Sequence, residues 1–248
     1  MHVEVTGSGP ALLLIPGGTG DAATFFRLAL PERTLIAYDR RGFSRSAGDE
    51  GGGDYDRDVE DAAALIEGQA DVFGSSSGAI VGLGLAARYP EKVRRLVAHE
   101  PPLAALVEDG AAVRAGFEEV VAVYREHGAA AAMERFGEVT GLGSQPPLPP
   151  RQALPADIVA MLDRMAGNVG FWIEGELRRY TAIVPDLDAL AGRVVVAVGD
   201  ASGEQFPARA ARALAARLGT SVEEFPGGHT GYIEEPAPFA KRLREVLA

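Results

Sequence analysis

Short apolar stretches of strand length alternate with helical stretches at both ends of this chain, an order that belongs to a mostly parallel sheet flanked by helices. Parallel neighbours need a long crossover between them, and a helix supplies it. Residues 3–6 and 11–15 read as two strands joined through Gly7-Ser8-Gly9-Pro10, an arrangement expected to form a glycine-turn hairpin. A short helix over 22–30 and a strand over 34–39 follow. Residues 54–67 are amphipathic at helical spacing, with Val59, Ala62, Ala63 and Ile66 on one face. Then come a strand over 70–74, a helix over 77–89 that stops before Pro90, and a strand over 93–100.

Pro101-Pro102 marks a change of character. From there to residue 186 the pattern is helical, broken by a loop over 141–150 that holds four prolines. Alternation then resumes with a strand over 193–199, a helix over 207–218, a strand over 221–225 and a last helix over 236–247. The expected architecture is an α/β core made of residues 1–100 and 187–248. A helical block, 101–186, is inserted between the strand ending near Glu100 and the strand beginning near Arg193. For 248 residues, 47% of them apolar, one folded α/β unit with an insertion is the economical description.

Composition narrows the function classes. A formal net charge of −11 argues against nucleic acid or an anionic membrane as partner, because both demand a basic face. The absence of cysteine excludes disulfides, thiolate metal sites and a cysteine nucleophile together. No apolar run approaches the roughly 18 residues that span a bilayer. The start of the chain reads as a strand rather than a signal segment, so a cytoplasmic protein is expected.

The strongest chemical signal is Gly74-Ser75-Ser76-Ser77-Gly78, which fits G-x-S-x-G between an expected strand and an expected helix. A serine on so tight a turn projects its oxygen above the sheet edge, and the flanking glycines relieve the crowding. The helix N-terminus behind it offers N–H groups to a developing oxyanion. A second glycine-rich turn, Pro16-Gly17-Gly18-Thr19-Gly20, follows an apolar strand, with Gly18 and Ser77 as the expected N–H donors. It fits neither G-x-G-x-x-G nor a Gly-Lys-Ser/Thr phosphate loop. Of four histidines, His2 and His127 are expected in solvent. His229 lies between glycines after the last expected strand, in a loop suited to delivering an imidazole.

The order of elements resembles the α/β-hydrolase fold over nearly the whole chain, with residues 101–186 as its lid. Tyr38-Asp39-Arg40-Arg41-Gly42-Phe43-Ser44-Arg45-Ser46 resembles the D-x-R-G-x-G-x-S loop of that family, with Ser44 in place of its second glycine. Gly17-Gly18 resembles the H-G-G oxyanion loop, with Pro16 where histidine is usual, and Gly227-Gly228-His229 resembles the catalytic histidine loop. The resemblance implies a Ser76–His229–acid triad. Its acid usually follows the strand after the lid as G-x-x-D, but here Gly199-Asp200-Ala201-Ser202 puts Ser202 at that position. The family's alternative acid, at the end of the strand after the nucleophile helix, falls on Glu100. Ser202 tips the choice toward Glu100, with Asp200 next and Glu204 behind it. An ion pair with Arg41 is the structural alternative for Glu100, and a turn or cap for Asp200.

The expected activity is hydrolysis of a carboxylic ester, lactone or thioester through an acyl-enzyme, on a small-molecule substrate and with no metal or organic cofactor implied. Carbon–carbon bond hydrolysis and perhydrolysis use the same constellation. A ligand-binding protein that has lost turnover is the competing class. In the lid, Phe171, Trp172, Ile173 and Tyr180 read chiefly as packing, with the lining of an acyl or ring pocket as the alternative, and Glu174, Glu176, Arg178 and Arg179 as a solvated face.

Overall fold

The computed structural model describes residues 1–46, 48, 53–143, 150–190 and 192–248; residues 144–149 of the expected proline-rich loop lie outside them. Among the described residues, seven strands form one sheet: β1 (Val3–Gly7), β2 (Ala11–Ile15), β3 (Thr34–Tyr38), β4 (Ala70–Ser75), β5 (Val93–His99), β6 (Val194–Gly199) and β7 (Val222–Phe225). Their order is β1-β3-β2-β4-β5-β6-β7, parallel throughout except for β1. Two helices cross over within the first half, α1 (Tyr55–Ala64) and α2 (Ser77–Arg88). Between β5 and β6 run α3 (Gly110–His127), α4 (Ala129–Thr140), α5 (Ala156–Trp172), a π-helical turn (Ile173–Leu177) and α6 (Arg178–Thr181). The chain closes with α7 (Phe206–Arg217), α8 (Gly231–Glu234) and α9 (Pro236–Leu247).

The expected hairpin does not form. β1 pairs antiparallel with β3, from Val3 opposite Tyr38 to Gly7 opposite Thr34, and is not hydrogen-bonded to β2 as a neighbour in the sheet. Both edges of β2 are taken by parallel partners, β3 and β4, because Leu12 to Ile15 are buried on both faces and need a strand on each side. Half-exposed β1 goes to the sheet edge instead. Gly7 and Gly9, at φ +75° and +128°, let the connection lie against residues 32 and 33, whose carbonyls would stand 2.2 Å from any Cβ there. The helix expected over 22–30 shrinks to one 3-10 turn, Ala22–Phe25, capped by Asp21.

Strand residues alternate between the two faces, as a period of two requires. Leu13, Ile15, Val72, Leu96, Ala98 and Val196 pack under α1, α2 and α7. Leu12, Leu14, Phe73, Val97, Ala197 and Phe225 meet Phe239, Leu243 and Leu247 of α9 on the other face. A third cluster, with Phe117, Val121, Trp172, Ile173 and Phe206, joins the inserted helices to α7. These layers fix the C-terminal ends of β4, β5 and β6 side by side, which is where open α/β sheets gather ligands. Among the described residues, no helix is long and apolar enough to cross a membrane.

Candidate active site

Ser76 stands between β4 and α2, and it is the one residue from 70 to 86 that is not buried. Its backbone is forced to φ +56°, ψ −128°, a region a non-glycine residue rarely adopts. Two features hold it there. Its N–H donates to the His99 carbonyl at 2.9 Å, and the flanking glycines admit backbone where a Cβ could not fit. A Cβ on Gly74 would lie 2.5 Å from the Gly78 carbonyl oxygen, and one on Gly78 2.2 Å from that of Ile15.

His229 arrives from the loop after β7. Asp200 Oδ1 accepts the Gly227 N–H at 3.0 Å, and Glu234 accepts the Gly228 N–H at 3.0 Å and the Thr230 hydroxyl at 2.5 Å. Thus braced on both sides, the loop places the His229 Nδ1 2.5 Å from Glu100 Oε2. Glu100 is 0% exposed, sits at φ +49° just past β5, and takes the Gly199 N–H on its other oxygen at 2.9 Å. Burial works to raise its pKa, but the His229 hydrogen bond and charge outweigh it and hold the carboxyl down at about 2. An ionised carboxylate only accepts, so Nδ1 must carry the imidazole proton.

The other expected acids lie elsewhere. Asp200 is exposed and spends its Oδ1 on the Gly227 turn, while Glu204 is exposed beside Arg212 at 3.6 Å. Arg41 pairs with Asp61 at 2.7 Å rather than with Glu100. The Gly18 N–H donates to Ser77 Oγ at 2.9 Å, so the two residues expected to hold an oxyanion bond each other across the elbow. His127 is exposed as expected, whereas His2 is half-buried against Glu4. Ser44, where the resembling loop carries glycine, adopts φ +50°, which explains why glycine suits that position. Asn168 of α5 then ties this turn to the glycine loop, accepting the Ser44 N–H and donating to the Thr19 carbonyl, each at 2.9 Å.

One expectation is corrected. Glu174, Arg178 and Arg179 do face outward, but Glu176 is 1% exposed. Its neighbour is Arg40, itself 0% exposed, whose Nη1 reaches Glu176 Oε1 at 2.6 Å and Asp58 Oδ2 at 3.1 Å. The guanidinium also donates to the Gly18 carbonyl at 3.1 Å and lies 4.3 Å above the Phe43 ring. Tyr180 donates to Asp58 at 2.9 Å. Burial, opposed by Arg40, raises the Glu176 carboxyl to about 7. The signal was present in the spacing: Trp172, Glu176 and Tyr180 share one helical face. His99 was passed over as well. It is fully buried, its Nδ1 3.4 Å from Ser75 Oγ, and burial pushes it down to about 4.

A pocket opens at the elbow, lined by Ser76, Ser77, Phe117, Phe136, Trp172 and Phe206 with Glu176 at its wall. Phe136 meets Trp172 edge-on at 4.9 Å, so this part of the wall is aromatic. Among the described residues, no group of histidines and carboxylates could hold a metal ion.

The chain is 34% identical to the uncharacterized hydrolase YraK of Bacillus subtilis, across all of this chain and 92% of that protein. It is 28% identical to a zearalenone hydrolase of Bionectria ochroleuca, over 99% of the chain and 92% of that protein. A thermophilic esterase from Thermogutta terrifontis superposes with a TM-score of 0.75 at 20% identity, over 99% of this chain and 92% of that one. The model of the alpha/beta hydrolase family matches residues 12–242, and with the parallel sheet and the strained serine elbow it shows that the chain belongs to that family.

Proposed function

We propose that this protein hydrolyses a carboxylic ester, lactone or thioester of a small molecule through an acyl-enzyme on Ser76, with His229 as base and Glu100 as acid. The observation that carries the reading is the 2.5 Å contact between buried Glu100 and His229 Nδ1 beside the strained serine elbow. With its proton fixed on Nδ1, His229 leaves Nε2 free to take the proton of Ser76 as Oγ attacks the carbonyl. The same nitrogen then protonates the leaving group and activates water for the second half-reaction. Ser77 and Gly18 N–H groups stabilise the tetrahedral oxyanion. Since Ser77 Oγ already accepts from Gly18, the substrate oxygen must share or displace that hydroxyl.

Residues 101–186 act as the lid over core residues 1–100 and 187–248, supplying Phe117, Phe136 and Trp172 to the substrate pocket. Asp200 serves the site by holding the histidine loop, not by touching the imidazole. The relative named a zearalenone hydrolase supports hydrolysis as the reaction type. Intact mass after treatment with a fluorophosphonate tests the assignment. A single adduct is expected on the wild-type protein and none on Ser76→Ala, with turnover of a panel of neutral esters and lactones lost in the same variant. Labelling that persists in Ser76→Ala, or a folded wild-type protein that neither labels nor turns over any ester, overturns it.

A further inference from the structure

We infer that Glu176 is a specificity-determining residue of this pocket, and that its Oε2 receives a hydroxyl group carried on an otherwise apolar substrate. The inference rests on Ser76 being the reacting residue of the same pocket. Glu176 lines the pocket with Ser76, yet only its Oε1 is engaged, by Arg40 at 2.6 Å. Oε2 is buried without any hydrogen-bond partner. A buried acceptor left unmade is costly, and a ligand that satisfies it recovers that cost on binding.

Three other polar groups of the wall are already committed. Thr140 donates to the Phe136 carbonyl and Thr181 to the Leu177 carbonyl, each at 2.7 Å, and Tyr180 donates to Asp58. Apart from Ser76 and Ser77 at the elbow, the remaining neighbours are apolar, so a polar substituent away from the reacting carbonyl finds its match at Glu176. Charge selects among substituents. Among the described residues, Arg40 is the cation shared by Asp58 and Glu176, so two acidic side chains meet one guanidinium and an anionic substituent is disfavoured. A hydroxyl suits the site best, because it can donate to the carboxylate or accept from the carboxylic acid. Backbone geometry supports the placement as well. Glu176 falls in the π-helical turn Ile173–Leu177, a local widening frequent at functional sites, and it joins Trp172 and Tyr180 on the inward face.

Binding to the Ser76→Ala protein tests this apart from turnover. Calorimetric titrations would compare ethyl phenylacetate with its 2-, 3- and 4-hydroxy derivatives and the matching methoxy derivatives. At least one hydroxy ester is expected to bind about tenfold more tightly than both its methoxy and its unsubstituted counterparts, the size of one good hydrogen bond to a charged group. Adding Glu176→Met, which fills the space and leaves Arg40 paired with Asp58, is expected to reduce that preference to within about twofold. Equal or undetectable binding of the hydroxy esters to Ser76→Ala overturns the inference, even if Glu176→Met does not fold. A preference that survives in Glu176→Met overturns it too, since the hydroxyl would then be read elsewhere. Failure of Ser76 itself shows separately, as loss of fluorophosphonate labelling in the wild-type protein.

Discussion

Replacing Glu100 by glutamine changes one atom, and the surrounding hydrogen bonds dictate the result. The Gly199 N–H donates to Glu100 Oε1 at 2.9 Å in a fully buried position, so the amide oxygen must face that donor. The amide NH2 is then turned toward His229 Nδ1, where the native carboxylate stands at 2.5 Å. A donor there forces Nδ1 to accept, and the ring proton moves to Nε2, where it blocks uptake of the Ser76 proton. The equivalent exchange in a serine-protease triad lowers kcat by roughly 10^4, so a loss of about 10^3 to 10^4 in kcat is expected for Glu100→Gln. Glu100→Asp tests distance instead of tautomer. Shortening the side chain by about 1.5 Å withdraws the carboxylate beyond hydrogen-bond reach while keeping its charge, and a smaller loss should follow. Asp200→Asn keeps an oxygen for the Gly227 N–H and should stay within a few-fold of wild type. The assay is the second-order rate of fluorophosphonate labelling, read beside kcat on one ester. Wild-type rates in Glu100→Gln, or an equal collapse in Asp200→Asn, would refute the reasoning.

Four further outcomes follow from the same geometry. Arg40→Met strips the cation from Asp58 and Glu176 inside the protein and should cost about 3–5 kcal/mol in urea melts, whereas a loss below about 1 kcal/mol would show the cluster to be dispensable. Gly17→Ala would set a Cβ 2.3 Å from the Ser75 carbonyl oxygen and 2.7 Å from Ser76 Cβ. Displacing the elbow should cut kcat/KM about 100-fold. Gly18→Ala, with open space around it, should cost only about 1 kcal/mol of stability for its φ of +54°. Buried His99 titrates at about 4 in the fold against about 6.5 in the unfolded chain, so the unfolded state binds the extra proton. The stability it contributes is therefore complete above pH 6.5 and is lost as pH falls toward 4, by about 3 kcal/mol. His99→Phe should remove that slope, measured as the wild-type-minus-variant difference in urea stability between pH 7.5 and 4.5. The rising contribution of Glu176, whose pKa is displaced upward, cancels in the difference.

Much of this molecule is legible before it folds. Periodicity and turn chemistry act over a few residues, so the strands at 70–74 and 93–100, the helix stopped by Pro90 and the elbow around Ser76 could be read locally. The histidine loop was legible for the same reason, through glycines flanking His229. What misled was pairing. Gly7-Ser8-Gly9-Pro10 has the composition of a hairpin turn, yet burial of β2 on both faces recruits β3 and β4 and sends β1 to the edge. Glu176 misled likewise, because four charged residues near one another in sequence read as a solvated face until Arg40 arrives from 136 positions away.

By itself, then, the sequence determined the α/β order of elements, the serine turn, the histidine loop and a short set of carboxylates able to serve them. Only the tertiary structure decided which carboxylate meets the imidazole, since Glu100 and His229 are 129 residues apart and become neighbours through the parallel register of β5, β6 and β7. It also decided that Glu176 turns inward with one oxygen unpaired. Both outcomes rest on burial and long-range hydrogen bonding, whose energies depend on partners that no local stretch of chain contains.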